Sequence, residues 1–97
     1  MIYNLRVDKL GEGLFTGYKT GCLMVEDVLS SVVADNTKVF VYVGKNQTVT
    51  SSFIFGMLKT LIKEYELLHT IIYFVEDESF NKLSANYNEF SRALDRL

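Results

Sequence analysis

Ninety-seven residues, 48% of them apolar, carry Lys+Arg 10 against Asp+Glu 12, with one Cys and no Pro. A chain of this size supports one small domain, residues 1–97, and excludes a two-lobed enzyme with a substrate cleft between its halves. The formal charge of -2 argues against a nucleic-acid partner, because such binders concentrate basic residues on one surface.

In chain order, Ile2, Tyr3, Leu5 and Val7 alternate well enough to predict a strand. Gly11 and Gly13 then permit a tight turn before Leu14 and Phe15, so an N-terminal strand pair is expected. From about Thr20 to Ala34, the residues Val25, Val28, Leu29, Val32 and Val33 recur at helical spacing, with Glu26, Asp27, Ser30 and Ser31 opposite them. Asp35-Asn36-Thr37 ends that predicted helix. Lys38 to Val43 is β-branched and aromatic, in the manner of a strand buried on both faces.

Gly44 to Thr48 is expected as a polar loop. Thr50 or Ser51 then caps a helix running to about Leu67, with Ile54, Leu58, Leu61, Tyr65 and Leu68 toward the core and Lys59, Lys63, Glu64 and Glu66 toward water. Gly56 inside this helix costs about 1 kcal/mol relative to Ala and signals close approach of the sheet or another backbone. Thr70 to Val75 is a second central strand. Asp77 or Ser79 caps a last helix whose Phe80, Leu83, Tyr87, Phe90, Leu94 and Leu97 share one face.

This order predicts an α/β fold: a small mixed, mainly parallel sheet with about three helices, joined by right-handed crossovers. Ligand and modification sites in such sheets lie at the carboxyl ends of the strands, which points to Gly44 to Ser52. The Gly44-Lys45 pair misses the phosphate-binding loop, since Val39 stands where its first Gly belongs and Asn46 follows the Lys. Gly11, Gly13 and Gly17 miss the dinucleotide fingerprint by one residue, at Thr16. His69 is the single His, so no metal-ligand set is expected. Cys22 forms no intrachain disulfide, and it reads as structural rather than as the nucleophile of a Cys22–His69 pair. Without a nucleophile, base and oxyanion arrangement, an enzyme is not expected, nor is a cofactor.

What stands out is Thr48-Val49-Thr50-Ser51-Ser52-Phe53, four hydroxyls at the junction of a strand and a helix start. One hydroxyl suffices for a cap. The others, at the positive end of a helix, suit phosphorylation or an anion, so Thr50, Ser51 and Ser52 are the phosphorylation or anion-binding candidates. Lys45, Asn46, Gln47, Thr48 and Phe53 are the candidate interaction surface around them.

The strand Val39 to Val43, a short loop, and Val49-Thr50-Ser51-Ser52-Phe53 with Gly56 a turn later resemble the STAS-like domains of unknown function, marked by an Ile/Val-Thr-Ser-Ser-Phe segment. Gly17 to Gly21 before an apolar helix resembles that family's earlier helix start. STAS-like domains are similar in turn to the STAS domains of anti-sigma factor antagonists, where a Ser of an Asp-Ser-Ser-Gly segment is phosphorylated by a partner kinase. By that resemblance Ser51 matches the phosphorylated Ser and Ser52 its neighbour, while Thr50 replaces the Asp and Phe53 the Gly. The resemblance implies a partner of the histidine-kinase-like ATPase class.

The expectation is therefore a non-enzymatic protein-interaction or regulatory module, switched by phosphorylation at Ser51. The alternatives are a small anion- or nucleotide-binding domain, and a phage or mobile-element inhibitor that binds a host defence or regulatory protein. The N-terminus lacks the basic segment and apolar core of a secretion signal, so a cytoplasmic protein is expected. No apolar run approaches the roughly 20 residues of a membrane span. Phe53, Phe55, Tyr65, Tyr87 and Phe90 are a surplus of aromatics compatible with a homodimer contact.

Overall fold

The structure is a computed structural model that describes residues 1–76 and 84–97. Its elements in order are β1 (Ile2–Arg6), a 3-10 turn (Val7–Leu10), β2 (Gly13–Phe15), α1 (Tyr18–Val28), β3 (Leu29–Val32), β4 (Lys38–Val43), β5 (Gln47–Val49), α2 (Ser51–Tyr65), β6 (Ile71–Glu76) and α3 (Ala85–Asp95). The fold is mixed α/β. A four-stranded sheet runs β3-β1-β4-β6, with β1, β4 and β6 parallel and β3 antiparallel to β1.

The N-terminal strand pair does not form. β1 lies between β3 and β4, and β2 pairs in parallel with β5 in a separate two-stranded sheet. The reason is the 3-10 turn between them, which buries Val7 and carries the chain off the sheet before Gly11 (φ 83) and Gly13 (φ 142) redirect it. The first helix is also shorter than expected. It begins at Tyr18, ends at Val28, and Leu29 turns extended (φ -78, ψ 129) into β3. Ser30, Ser31, Val32 and Val33 are poor helix formers. Residues Leu29 to Val32 instead pair with Leu5 back to Ile2, satisfying the backbone of a strand the helix would have left open.

β4 and β6 alternate rather than being buried on both faces. The register places Tyr3, Leu5, Val39, Val41, Val43 and Phe74 on one face, where they join Phe53, Ile54, Met57, Leu58 and Leu61 of α2 and Val25 and Val28 of α1 in the core. The other face carries Ile2, Asn4, Arg6, Lys38, Phe40, Tyr42, Ile71, Tyr73 and Val75, and every one of these is at least partly exposed. Among the described residues the helices lie on one face of the sheet, which is why the strands alternate.

Within α2 the expected inner residues Ile54, Leu58 and Leu61 are fully buried. Tyr65 is exposed and packs its ring 4.9 Å from that of Tyr3, while Leu68 lies beyond the helix and is exposed. Glu66 closes the helix in the left-handed conformation. Gly56 has the role that an isolated helical glycine implies: a Cβ there would collide with the carbonyl oxygen of Tyr18. Gly21 of α1 is its counterpart against the carbonyl oxygen of Phe53. The two helices therefore cross backbone to backbone. In α3, Phe90 and Ala93 are buried and Tyr87 and Leu94 pack against the core. Its cap is Ser84, whose Oγ accepts from Tyr87 N; the expected caps Asp77 and Ser79, with Phe80 and Leu83, lie outside the described residues.

Candidate functional site

The hydroxyl-rich junction is built from three elements. A turn at Gly44–Asn46, with Asn46 at φ 63, leads into β5, so the expected loop becomes strand at Gln47. β5 lies beside β2, and Thr50 N donates to Phe15 O at 3.0 Å. This fixes Thr50 in extended backbone, from which its Oγ1 accepts the Phe53 N–H at 3.3 Å and caps α2. Among the four hydroxyls, Thr50 is the cap, Thr48 is exposed on β5, and Ser51 and Ser52 are half-buried on the first turn.

That turn already has an anion. Ser51 N donates to Glu89 Oε1 of α3 at 3.1 Å, so a carboxylate from the chain itself occupies the positive end of the helix. Glu89 Oε2 accepts from Arg92 at 2.9 Å, and Arg96 Nη1 reaches Ser52 Oγ at 3.5 Å. An outside anion at Ser51 would have to displace Glu89, which weighs against a ready-made nucleotide or phosphate site.

Two expected surface residues are interior. Phe53 is fully buried and anchors α2, its ring 5.7 Å from that of Phe15. Gln47 is buried as a staple: its Nε2 donates to Val7 O (2.9 Å) and Gly11 O (2.6 Å), and its Oε1 accepts from Gly44 N (2.6 Å). A polar side chain with all three bonds made inside the fold holds the 3-10 turn against β5 and presents nothing to a partner. Lys45, Asn46 and Thr48 are exposed as expected. With Asp8, Gly11, Glu12, Gly44 and Gln47, Lys45 lines an open depression of about 250 Å³ at the carboxyl ends of β1 and β4.

Asn86 forms a second buried node. Its Oδ1 accepts from Val49 N at 3.1 Å and its Nδ2 donates to Gln47 O at 2.8 Å, joining α3 to β5 along two backbone groups. Glu76 accepts from Ser84 Oγ at 2.6 Å and from Asn86 Nδ2 at 3.5 Å, tying the end of β6 to the same helix start.

A cluster absent from the sequence reading lies one turn along α2. Arg96, the residue that closes α3, stacks its guanidinium 4.3 Å from the Phe55 ring centre, and Lys59 Nζ stands 5.6 Å from the same ring. Tyr18 of α1 packs its ring 5.6 Å from Phe55. Beside them Tyr18, Lys59, Thr60, Lys63 and Glu64 line a groove of about 400 Å³. The salt bridges among the described residues are Arg6–Asp8 and Arg92–Glu89, so Lys59, Lys63 and Arg96 enter none there. Cys22, as hydrogen-bond partner and then as charge, raises the Tyr18 phenol above its ordinary value, with Arg96 acting against it. The one sequence signal was Phe55 followed by Lys59, an aromatic and a cation four apart and outside the core stripe. Tyr18 and Arg96 join from helices distant in sequence.

Among the described residues no group of three or more His, Cys, Asp or Glu side chains is placed to hold a metal ion, and no helix is long and apolar enough to cross a membrane. No family model, curated protein or solved structure matches the chain.

Proposed function

We propose that this chain is a non-enzymatic protein-interaction module of the STAS-like kind and that its partner presents an acidic surface to the exposed side of α2. One observation carries the reading: two cations, Lys59 and Arg96, flank a single half-exposed ring, Phe55, with no carboxylate paired to either among the described residues. A partner carboxylate that meets a cation held on an aromatic face gains a charge-assisted contact beside apolar area, the mixed chemistry typical of interface anchors. Lys63 and Tyr18 extend the same patch along the groove.

Ser51 supplies the regulation in this reading. A phosphoryl group there adds about -1.5 to -2 charges next to Glu89, competes with that carboxylate for the first-turn N–H groups, and draws Arg96 from Phe55 toward the turn where it already reaches Ser52. The partner surface loses one of the two cations that flank Phe55. The histidine-kinase-like ATPase class is the partner that the family resemblance supports.

The test is paired capture from the native host by wild-type chain and by a Lys59→Glu/Arg96→Glu variant, with phosphate on Ser51 read by mass spectrometry. The reading expects one partner lost at least tenfold from the variant while its far-UV dichroism is unchanged, and a Ser51→Glu chain that binds the same partner more weakly. Equal recovery by wild type and the double variant overturns it.

A further inference from the structure

We propose that β6 pairs antiparallel with β6 of a second copy of this chain, about a two-fold axis at Tyr73, joining two four-stranded sheets into one of eight strands. The surface is distinct from the α2 patch, since β6 is the terminal strand of the sheet.

The two edges of the sheet differ. β3 is four residues long and carries Ser30 and Ser31. β6 is six residues long and runs Ile71-Ile72-Tyr73-Phe74-Val75 before its one charge, Glu76. Natural edges are blunted by shortness, Lys, Pro or a bulge. β6 has no Lys or Pro, matches β4 in length, and pairs residue for residue with it from Lys38↔Ile71 to Val43↔Glu76. Ile71 is 61% and Tyr73 37% exposed on this edge. Among the described residues no strand pairs with its outer side.

The register follows from which side chains face the core. Residues directly opposed in an antiparallel pair point to the same face. An axis at Tyr73 opposes Tyr73 to itself, Ile71 to Val75 and Ile72 to Phe74, so outward residues meet outward ones and core-facing residues meet core-facing ones. Phe40 is the β4 neighbour of Tyr73 in this row, and the two rings stack at 5.0 Å with an interplanar angle of 18°. In the dimer the row continues without a break as Phe40, Tyr73, the partner's Tyr73 and the partner's Phe40. The stack that ends at a part-exposed ring in one chain is completed by its copy.

Charge also favours a second copy at this edge. Residues 71 to 75 are uncharged, and Glu76 opposes the partner's Thr70 rather than another carboxylate. Packing two open faces against each other would instead bury Lys38 and the Arg6–Asp8 ion pair of both copies, charges that the β6 edge does not carry. A five-residue ribbon buries less than the standard 1,200 to 2,000 Å² of a stable interface, so the association is weak and concentration-dependent.

Sedimentation equilibrium over a concentration series tests it. The weight-average mass should rise from 11.1 kDa toward twice that value, and Tyr73→Lys, which sets a cation against itself on the axis, should hold the mass at the monomer value with the fold unchanged by circular dichroism. In a Cys22→Ala background, mild oxidation should link Tyr73→Cys into a covalent dimer and leave Ile71→Cys unlinked, a result that does not depend on how Tyr73→Lys folds. A wild-type mass of one chain up to about 1 mM, or linkage of Ile71→Cys without linkage of Tyr73→Cys, overturns the proposal.

Discussion

Helices α1 and α3 are both held to α2, by opposite means. α1 meets α2 where Gly21 and Gly56 remove side chains, so that each glycine lies against a carbonyl of the other helix. Beyond the burial of Phe90 and Ala93, α3 is fastened by side-chain polar groups: Asn86 bridges two backbone groups of β5, Glu89 takes a first-turn N–H of α2, and Arg96 reaches Ser52 and Phe55. The first contact is steric and buried, and it fails when an atom is added. The second is made of directional bonds, several near solvent, and it fails when an atom is removed. Under the proposed function a phosphoryl charge at Ser51 would act on the second kind of contact, through Glu89 and Arg96.

The largest expected effect breaks the first contact. Gly56→Ala gains up to about 1 kcal/mol of helix propensity, yet the added Cβ meets the Tyr18 carbonyl, so a net loss of about 3 kcal/mol is expected from overpacking. A urea unfolding midpoint higher than wild type would show that the crossing is not close. Asn86→Ala strikes the second contact at its buried end. It leaves Val49 N–H and Gln47 C=O without partners at a cost of about 2 kcal/mol, read from the same transition. If the two variants lose equal stability in 1 M salt and in dilute buffer, neither contact is dominated by exposed charge.

Smaller changes sharpen the comparison. Thr50→Ala removes the cap without touching α1 or α3, and about 1 kcal/mol should be lost, visible as faster amide exchange at Phe53. Glu89→Gln keeps an acceptor for Ser51 N–H but removes its charge. About 0.5 kcal/mol is expected from the weaker interaction with the helix end, together with a smaller dependence of the melting temperature on salt. No change in either quantity would mean that Glu89 holds α3 as a neutral acceptor would.

Much of the architecture was legible where local signals were strong. Thr50 before an apolar stripe marked the start of α2, and an unbroken β-branched run marked β4 and β6. The region after Val28 misled because Val32 and Val33 fit a helical period as well as an edge strand, and only pairing with β1 decides between them. The junction was legible in part. Its hydroxyls lie where expected, but a Gln in a polar-looking stretch gave no local sign that it is interior, whereas Phe53, four residues before Met57 and eight before Leu61, fell on the helix's buried stripe and was assigned to the surface only by its neighbours Ser51 and Ser52. Their burial depends on partners about 40 residues away for Gln47 and on the α1 crossing and β2 for Phe53.

Composition and periodicity thus determined the class of fold, a cap at Thr50 or Ser51, the glycine at a close approach, and the strands that alternate with helices. These follow from φ/ψ preference and from side-chain spacing along one element, both properties of neighbours in sequence. Tertiary structure alone decided which strands β1 pairs with, that among the described residues the helices lie on one face of the sheet and β6 is a terminal strand, and that Arg96, Phe55, Lys59 and Tyr18 meet. Those are consequences of which surfaces bury one another, and burial is settled between segments far apart in the chain.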